Sequence, residues 1–125
     1  MNDQKKQYIA QAEQIIARTV QSLPVELRNA AAEVPVSLAD SPDQELIDEG
    51  FEPDLLGLFE GEAISERGGT LYPAPPHITL FLDNILEFAD HDPDVFLEEI
   101  QITYLHELGH YFGWDEDDLT LRDLD

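Results

Sequence analysis

The chain has 125 residues, 42% of them hydrophobic and none of them cysteine, and 28 acidic against 6 basic residues give a net charge of −22. This length fits one domain over residues 1–125, with a core that needs no disulfides. Without cysteine, a transition metal would have to be held by histidine and carboxylate side chains. So acidic a surface repels nucleic acid and anionic membranes. No apolar run suits a membrane span or a secretion signal, so we expect a cytoplasmic protein.

The first third of the chain is predicted to form two helices and one strand. Apolar residues recur at three- and four-residue steps over residues 4–20, which is typical of an amphipathic helix. Pro24 suits the first position of a second, short helix that reaches residue 33. Residues 34–38 are rich in valine and precede a turn-forming stretch, so they predict a strand, and Pro35 places that strand at a sheet edge.

The middle of the chain is predicted to contain two more strands and a short helix. Residues 40–54 are acidic and carry proline and glycine, so we expect a loop with at most one helical turn. Strands are expected at 55–60 and 77–82, joined by an exposed connection, and residues 83–89 predict a short helix.

The last long element is a helix with clear start and stop signals. Asp92 is an N-cap residue, Pro93 fits the first turn, and the pattern continues to Phe112 before Gly113 ends it. Apolar residues cover most of its circumference, so the helix should be largely buried. Its polar side chains share the remaining sector: Thr103, His106, Glu107 and His110.

This sector contains the pattern H-E-x-x-H, as His106-Glu107-Leu108-Gly109-His110. Histidines four residues apart lie on one face of a helix, so both imidazoles can reach the same metal ion. Glu107 lies beside them and can act as general base toward a water activated by that metal. Burying these three polar side chains is unfavourable unless they are paired or bound to metal. The pattern therefore predicts a zinc site, although the same ligands also suit iron, cobalt or manganese.

The third metal ligand is expected shortly after the helix. Gly113 and Glu116 extend the pattern to H-E-x-x-H-x-x-G-x-x-E, and a glycine there permits the turn that returns a side chain to the ion. Glu116 is the favoured ligand. The alternatives are its neighbours Asp115 and Asp117, or a remote residue such as Glu87.

The other candidate residues are given structural roles. His77 and His91 are expected at the surface or in loops, and Arg67 in a surface ion pair. Three tyrosines could donate a hydrogen bond to a developing oxyanion but are expected to be core residues: Tyr72, Tyr104 and Tyr111.

Over most of its length the chain resembles the small zincin-like metallopeptidases, which are minimal bacterial domains. The resemblance is most specific at 106–113 and also covers 23–26, 54–61 and 77–81. It implies an α+β, minimal zincin-like fold, in which a small mixed sheet packs against an N-terminal helix and a long C-terminal active-site helix. An edge strand would line the cleft. Two features depart from related sequences. Glu116 stands where the family commonly has aspartate. Met1 is the single methionine of the chain, so the methionine turn of the larger metzincins is not expected here.

These observations predict a zinc-dependent metallopeptidase with a peptide or protein substrate. His106, His110 and Glu116 would hold the metal and Glu107 would be catalytic. The strand at 78–82 would bind an extended peptide by strand addition. Two other functions stay open: a metal-binding or interaction domain without catalysis, and a structural acidic module. The oligomeric state is left open.

Overall fold

The computed structural model describes residues 3–63 and 74–113, which form five helices and three strands. The elements in chain order are α1 (Asp3–Ser22), α2 (Val25–Ala31), β1 (Val36–Ala39), α3 (Gln44–Asp48), β2 (Gly57–Glu60), β3 (His77–Phe81), α4 (Leu82–Phe88) and α5 (Pro93–Tyr111). Every predicted helix and strand is present. The α+β fold class, with its small mixed sheet and long first and last helices, is thus confirmed.

Differences between the predicted and observed elements are confined to their ends. Pro24 precedes α2 as its N-cap, with extended backbone, and its carbonyl accepts a 2.8 Å hydrogen bond from the Arg28 amide. Pro35 lies just before β1, although its carbonyl still accepts a hydrogen bond from the Ile78 amide. The single helical turn expected in the acidic loop is α3, which Asp43 caps by accepting from the Leu46 amide.

The sheet has the strand order β1-β3-β2, so β3 is its central strand. β1 pairs with β3 in parallel and β2 pairs with it antiparallel. The edge position predicted for β1 from Pro35 is confirmed. The prediction that residues 78–82 add a substrate strand is wrong, because both sides of β3 already pair with neighbours. Residue periodicity identified β3 as a strand, but it carries no information on which strands flank it.

The core lies between the sheet and the two long helices, and α5 runs through its centre. One face of α5 packs against α1, where the rings of Tyr8 and Phe96 meet edge to face at 5.0 Å. Another face packs on β2 and β3. Most of the fully buried large side chains come from α5 and β3: Ile78, Leu80, Phe81, Phe96, Ile100, Tyr104, Leu108 and Tyr111. Burial on both sides explains why the apolar residues of α5 cover such a wide arc.

An ion-pair triad anchors the start of α1. Lys5 Nζ lies 2.7 Å from a carboxylate oxygen of Asp40, after β1, and 2.5 Å from one of Asp83, in the first turn of α4.

In the described part of the chain, no helix combines the length and hydropathy needed to cross a membrane.

Candidate metal centre

Local sequence fixes both ends of the helix that carries the H-E-x-x-H motif. At the start of α5 the Asp92 carboxylate accepts hydrogen bonds from the amides of Asp94 and Val95, and Pro93 occupies the first turn. At the other end Gly113 adopts a left-handed φ of 80°, and its amide donates to the His110 carbonyl. The predicted cap and the predicted glycine stop are confirmed. The motif therefore occupies the last turns of a well-anchored helix.

The structure brings His106, Glu107 and His110 together on one face of these turns. Each can offer one ligand atom such that all three atoms lie within 4.8 Å of one another. The two imidazole ring centres are 4.9 Å apart, with the ring planes at 81°. Both histidines are half-buried, whereas only 9% of Glu107 is exposed. Two accessible imidazoles next to a buried carboxylate form a donor set that suits zinc and similar divalent ions.

A cleft of about 460 Å³ opens beside this cluster. Its floor is one face of α5, and its walls come from the chain leading into β2 and from the end of α4. The lining residues are Leu55, Leu56, Gly57, Phe88, Glu99, Ile102, Thr103, His106 and Glu107. A mostly apolar cleft that contains a few polar groups is the usual form of a binding site for a small ligand.

Gly57, the first residue of β2, brings the edge strand into direct contact with the motif helix. A Cβ atom at this position would lie 2.7 Å from Thr103 Cγ2 and 3.2 Å from Glu107 Cγ, both closer than normal carbon contacts. Only glycine lets the strand lie this close to the helix. The sequence alone does not distinguish Gly57, because a glycine inside a strand pattern indicates a close approach without identifying the neighbouring segment.

Of the predicted ligands, the acidic residue that would complete the metal site is not observed. Glu116 and its alternatives Asp115 and Asp117 lie outside the described residues. The remote alternative Glu87 is described: its side chain is exposed and lies 3.3 Å from His91 Nε2. Among residues 3–63 and 74–113, the metal-capable group that includes the motif histidines does not contain Glu87.

The residues assigned structural roles occupy such positions where the structure describes them. His77 Nε2 lies 2.9 Å from Ser37 Oγ on the neighbouring strand, and His91 lies at the left-handed turn before α5. Tyr104 is buried, and burial raises the pKa of its phenol to about 12. Tyr111 is also buried, and its hydroxyl donates to Glu33 Oε2 at 3.1 Å. Tyr72 and Arg67 lie outside the described residues.

Comparison with known families agrees with this geometry. The family model described as zincin-like metallopeptidase matches residues 31–124, which is three-quarters of the chain and includes the sheet, the cleft and the whole of α5. The chain belongs to the zincin-like metallopeptidase family. No curated protein is similar enough to count as a match. Membership in this family implies a metal ion, typically zinc, and the cluster on α5 has the donor atoms to hold one.

Proposed function

We propose that this chain is a zinc-dependent peptidase that hydrolyses peptide bonds in the cleft beside α5. The observation that carries the proposal is that one ligand atom each from His106, Glu107 and His110 lies within 4.8 Å of the others beside that cleft, in a member of a metallopeptidase family. His106 and His110 are the proposed metal ligands. Glu116 is proposed as the third, because it completes the spacing H-x-x-G-x-x-E and the left-handed φ of Gly113 ends the helix three residues after His110.

Zinc held by these residues would act as a Lewis acid that polarises the scissile carbonyl and lets water lose a proton near neutral pH. Glu107 is proposed to take that proton and to return it to the leaving amine. Its position suits this role, since burial against β2 restricts its side chain while the cleft gives a substrate access to it. Gly57 lies so close to the stem of Glu107 that no side chain fits between strand and helix, and this close packing would orient the Glu107 carboxylate.

The proposed substrate-binding strand is β2, in place of β3. In the part of the chain that the structure describes, β2 pairs with β3 alone, and its first residue, Gly57, lies against Glu107. An extended peptide that adds to the other side of β2 would place its backbone next to Glu107. Recognition through main-chain hydrogen bonds would bind peptides of varied sequence, with selectivity left to the side-chain cleft.

The test replaces Glu107 with glutamine, which has the same shape but cannot accept a proton. We expect Glu107→Gln to retain one zinc per chain and to lose at least 100-fold in peptide hydrolysis, as removal of a general base does. Glu98→Gln is a matched control, since Glu98 is an exposed glutamate on the same helix and does not line the cleft. Hydrolysis by Glu107→Gln at the parent rate would refute the mechanism. A zinc-loaded parent that is inert toward a broad peptide library would favour a non-catalytic metal-binding domain.

A further inference from the structure

The cleft beside the metal centre continues along α5, away from the histidines, and ends at a carboxylate. Glu99 and Glu107 lie eight residues apart, and both line the cleft, with Thr103 between them. Between the two acids the walls are apolar, formed by Leu55, Leu56, Phe88 and Ile102. Phe88 and Ile102 are 61% and 41% exposed. Large apolar side chains exposed together at a concave site are typical of a surface that binds another molecule.

We infer that this cleft is a specificity pocket in which Glu99 selects a lysine or arginine side chain of the substrate. The inference rests on the proposed peptidase function, and it names the substrate class of that site. An aliphatic stem would lie against Leu56, Phe88 and Ile102, and the cationic end would reach the Glu99 carboxylate. Lys and Arg are the side chains that combine an apolar stem with a charged end.

The separation of Glu99 from the motif along α5 is comparable to the reach of a long basic side chain on a residue beside the scissile bond. Glu99 precedes His106 by seven residues, which corresponds to about 10.5 Å along the helix. A fully extended lysine spans about 6 Å from Cα to Nζ, and a hydrogen bond to a carboxylate adds about 3 Å. Arginine is slightly longer. Shorter polar side chains would leave Glu99 without contact, and long apolar ones would cover it without a donor.

The charges at the cleft favour a cation as well. Among the described residues that line it, Glu99 and Glu107 are acidic and none is lysine or arginine. Burial raises the pKa of Glu99 above its usual 4.5, and the nearby Glu98 adds to this effect. The charged form of Glu99 is thus less favourable than that of an exposed glutamate, and a bound cation would stabilise it. The net charge of −22 attracts basic peptides to the surface in general.

The experiment compares three peptides that differ at one position next to the scissile bond, which carries lysine, its uncharged analogue norleucine, or glutamate. Hydrolysis is measured with the zinc-loaded parent, and affinity with the zinc-loaded Glu107→Gln protein. We expect the lysine peptide to be preferred over the norleucine peptide in both. Glu99→Gln should reduce that preference about tenfold, as expected for loss of one charge-assisted hydrogen bond near solvent. Glu99→Lys should shift the preference to the glutamate peptide.

Glu98→Gln is the matched control, since it removes the same charge from the neighbouring position outside the cleft. It should leave the lysine preference within twofold of the parent. An equal loss in Glu98→Gln and Glu99→Gln, or no loss in Glu99→Gln, would overturn the inference. A concentration-dependent dimer that Phe88→Ser dissociates would also overturn it, because the cleft would then hold a second copy of the chain.

The two proposals fail separately in this design. If hydrolysis depends on Glu107 but the lysine preference does not depend on Glu99, the peptidase proposal stands and the pocket inference fails. If no peptide is hydrolysed but lysine peptides bind with an affinity that depends on Glu99, the catalytic proposal fails and the pocket stands as a binding site.

Discussion

Replacing Gly57 with alanine tests whether the contact between β2 and the motif helix is as close as the structure indicates. The new methyl group would lie 2.7 Å from Thr103 Cγ2, 3.2 Å from Glu107 Cγ and 3.3 Å from Leu80 Cδ2. Carbon atoms normally approach to about 3.5–4.0 Å. Since the nearest atom belongs to a branched side chain that is 94% buried, it cannot turn aside, and β2 would have to move away from α5.

The size of the effect follows from two opposing contributions. Inserting a methyl group into a packed interior costs about 1–3 kcal/mol. Alanine also restricts the unfolded chain, which raises the free energy of unfolding by about 0.4–1 kcal/mol. We therefore expect Gly57→Ala to lower the free energy of unfolding by about 1–2 kcal/mol.

The assay is urea unfolding of a double-mutant cycle. Thr103→Ser removes the Cγ2 atom and keeps the hydroxyl, so alone it should cost about 0.8 kcal/mol, the value of one buried methylene. Combined with Gly57→Ala it should relieve the clash, so that the double variant is at least about 1 kcal/mol more stable than the sum of the single changes predicts. Simple additivity, or Gly57→Ala as stable as the parent, would refute the close approach of β2 to Thr103.

Two further predictions concern the anchoring of the helices. The carboxylates of Asp40 and Asp83 raise the pKa of Lys5 above its usual 10.5, so their ion pairs stabilise the fold fully below pH 10.5 and less as the pH rises through the higher folded value. Because both acids are largely exposed, Lys5→Met should lower the free energy of unfolding by only about 1 kcal/mol at pH 7. The loss should shrink as the pH is raised above 10.5, and a loss that does not change with pH would contradict this assignment. Asp92→Ala should lower the free energy of unfolding by about 1 kcal/mol, and Asp92→Ser should lower it much less, because serine can still cap α5. Equal decreases in the two variants would show that the cap does not stabilise the helix.

Local features of the sequence were sufficient to predict the helix that carries the site. The Asp92-Pro93 start and the Gly113 stop are properties of residues close in sequence, and their backbone requirements are met without help from the rest of the chain. The spacing of His106 and His110 fixes their common face in the same way, because helical periodicity alone determines it.

Features that depend on contacts between distant segments could not be predicted from the sequence. Both β3 and β2 show strand patterns, but only the fold shows that β3 is central and that β2, among residues 3–63 and 74–113, pairs on one side only. The roles of Gly57 and Glu99 also depend on contacts between distant segments. Gly57 matters because of Thr103, which is 46 positions later in the sequence. Glu99 is one of 28 acidic residues in the sequence, and it is distinguished only by the cleft that it lines together with Leu56 and Phe88.

The most direct test of the central claim is the zinc content of the protein and of four single histidine variants, measured by elemental analysis after dialysis against trace zinc. One zinc per chain is expected in the parent and in the controls His77→Gln and His91→Gln. His106→Gln and His110→Gln should each lose it. Zinc that persists in both of these variants, or a folded parent that binds no divalent ion, would contradict the metal centre and the peptidase proposal that rests on it.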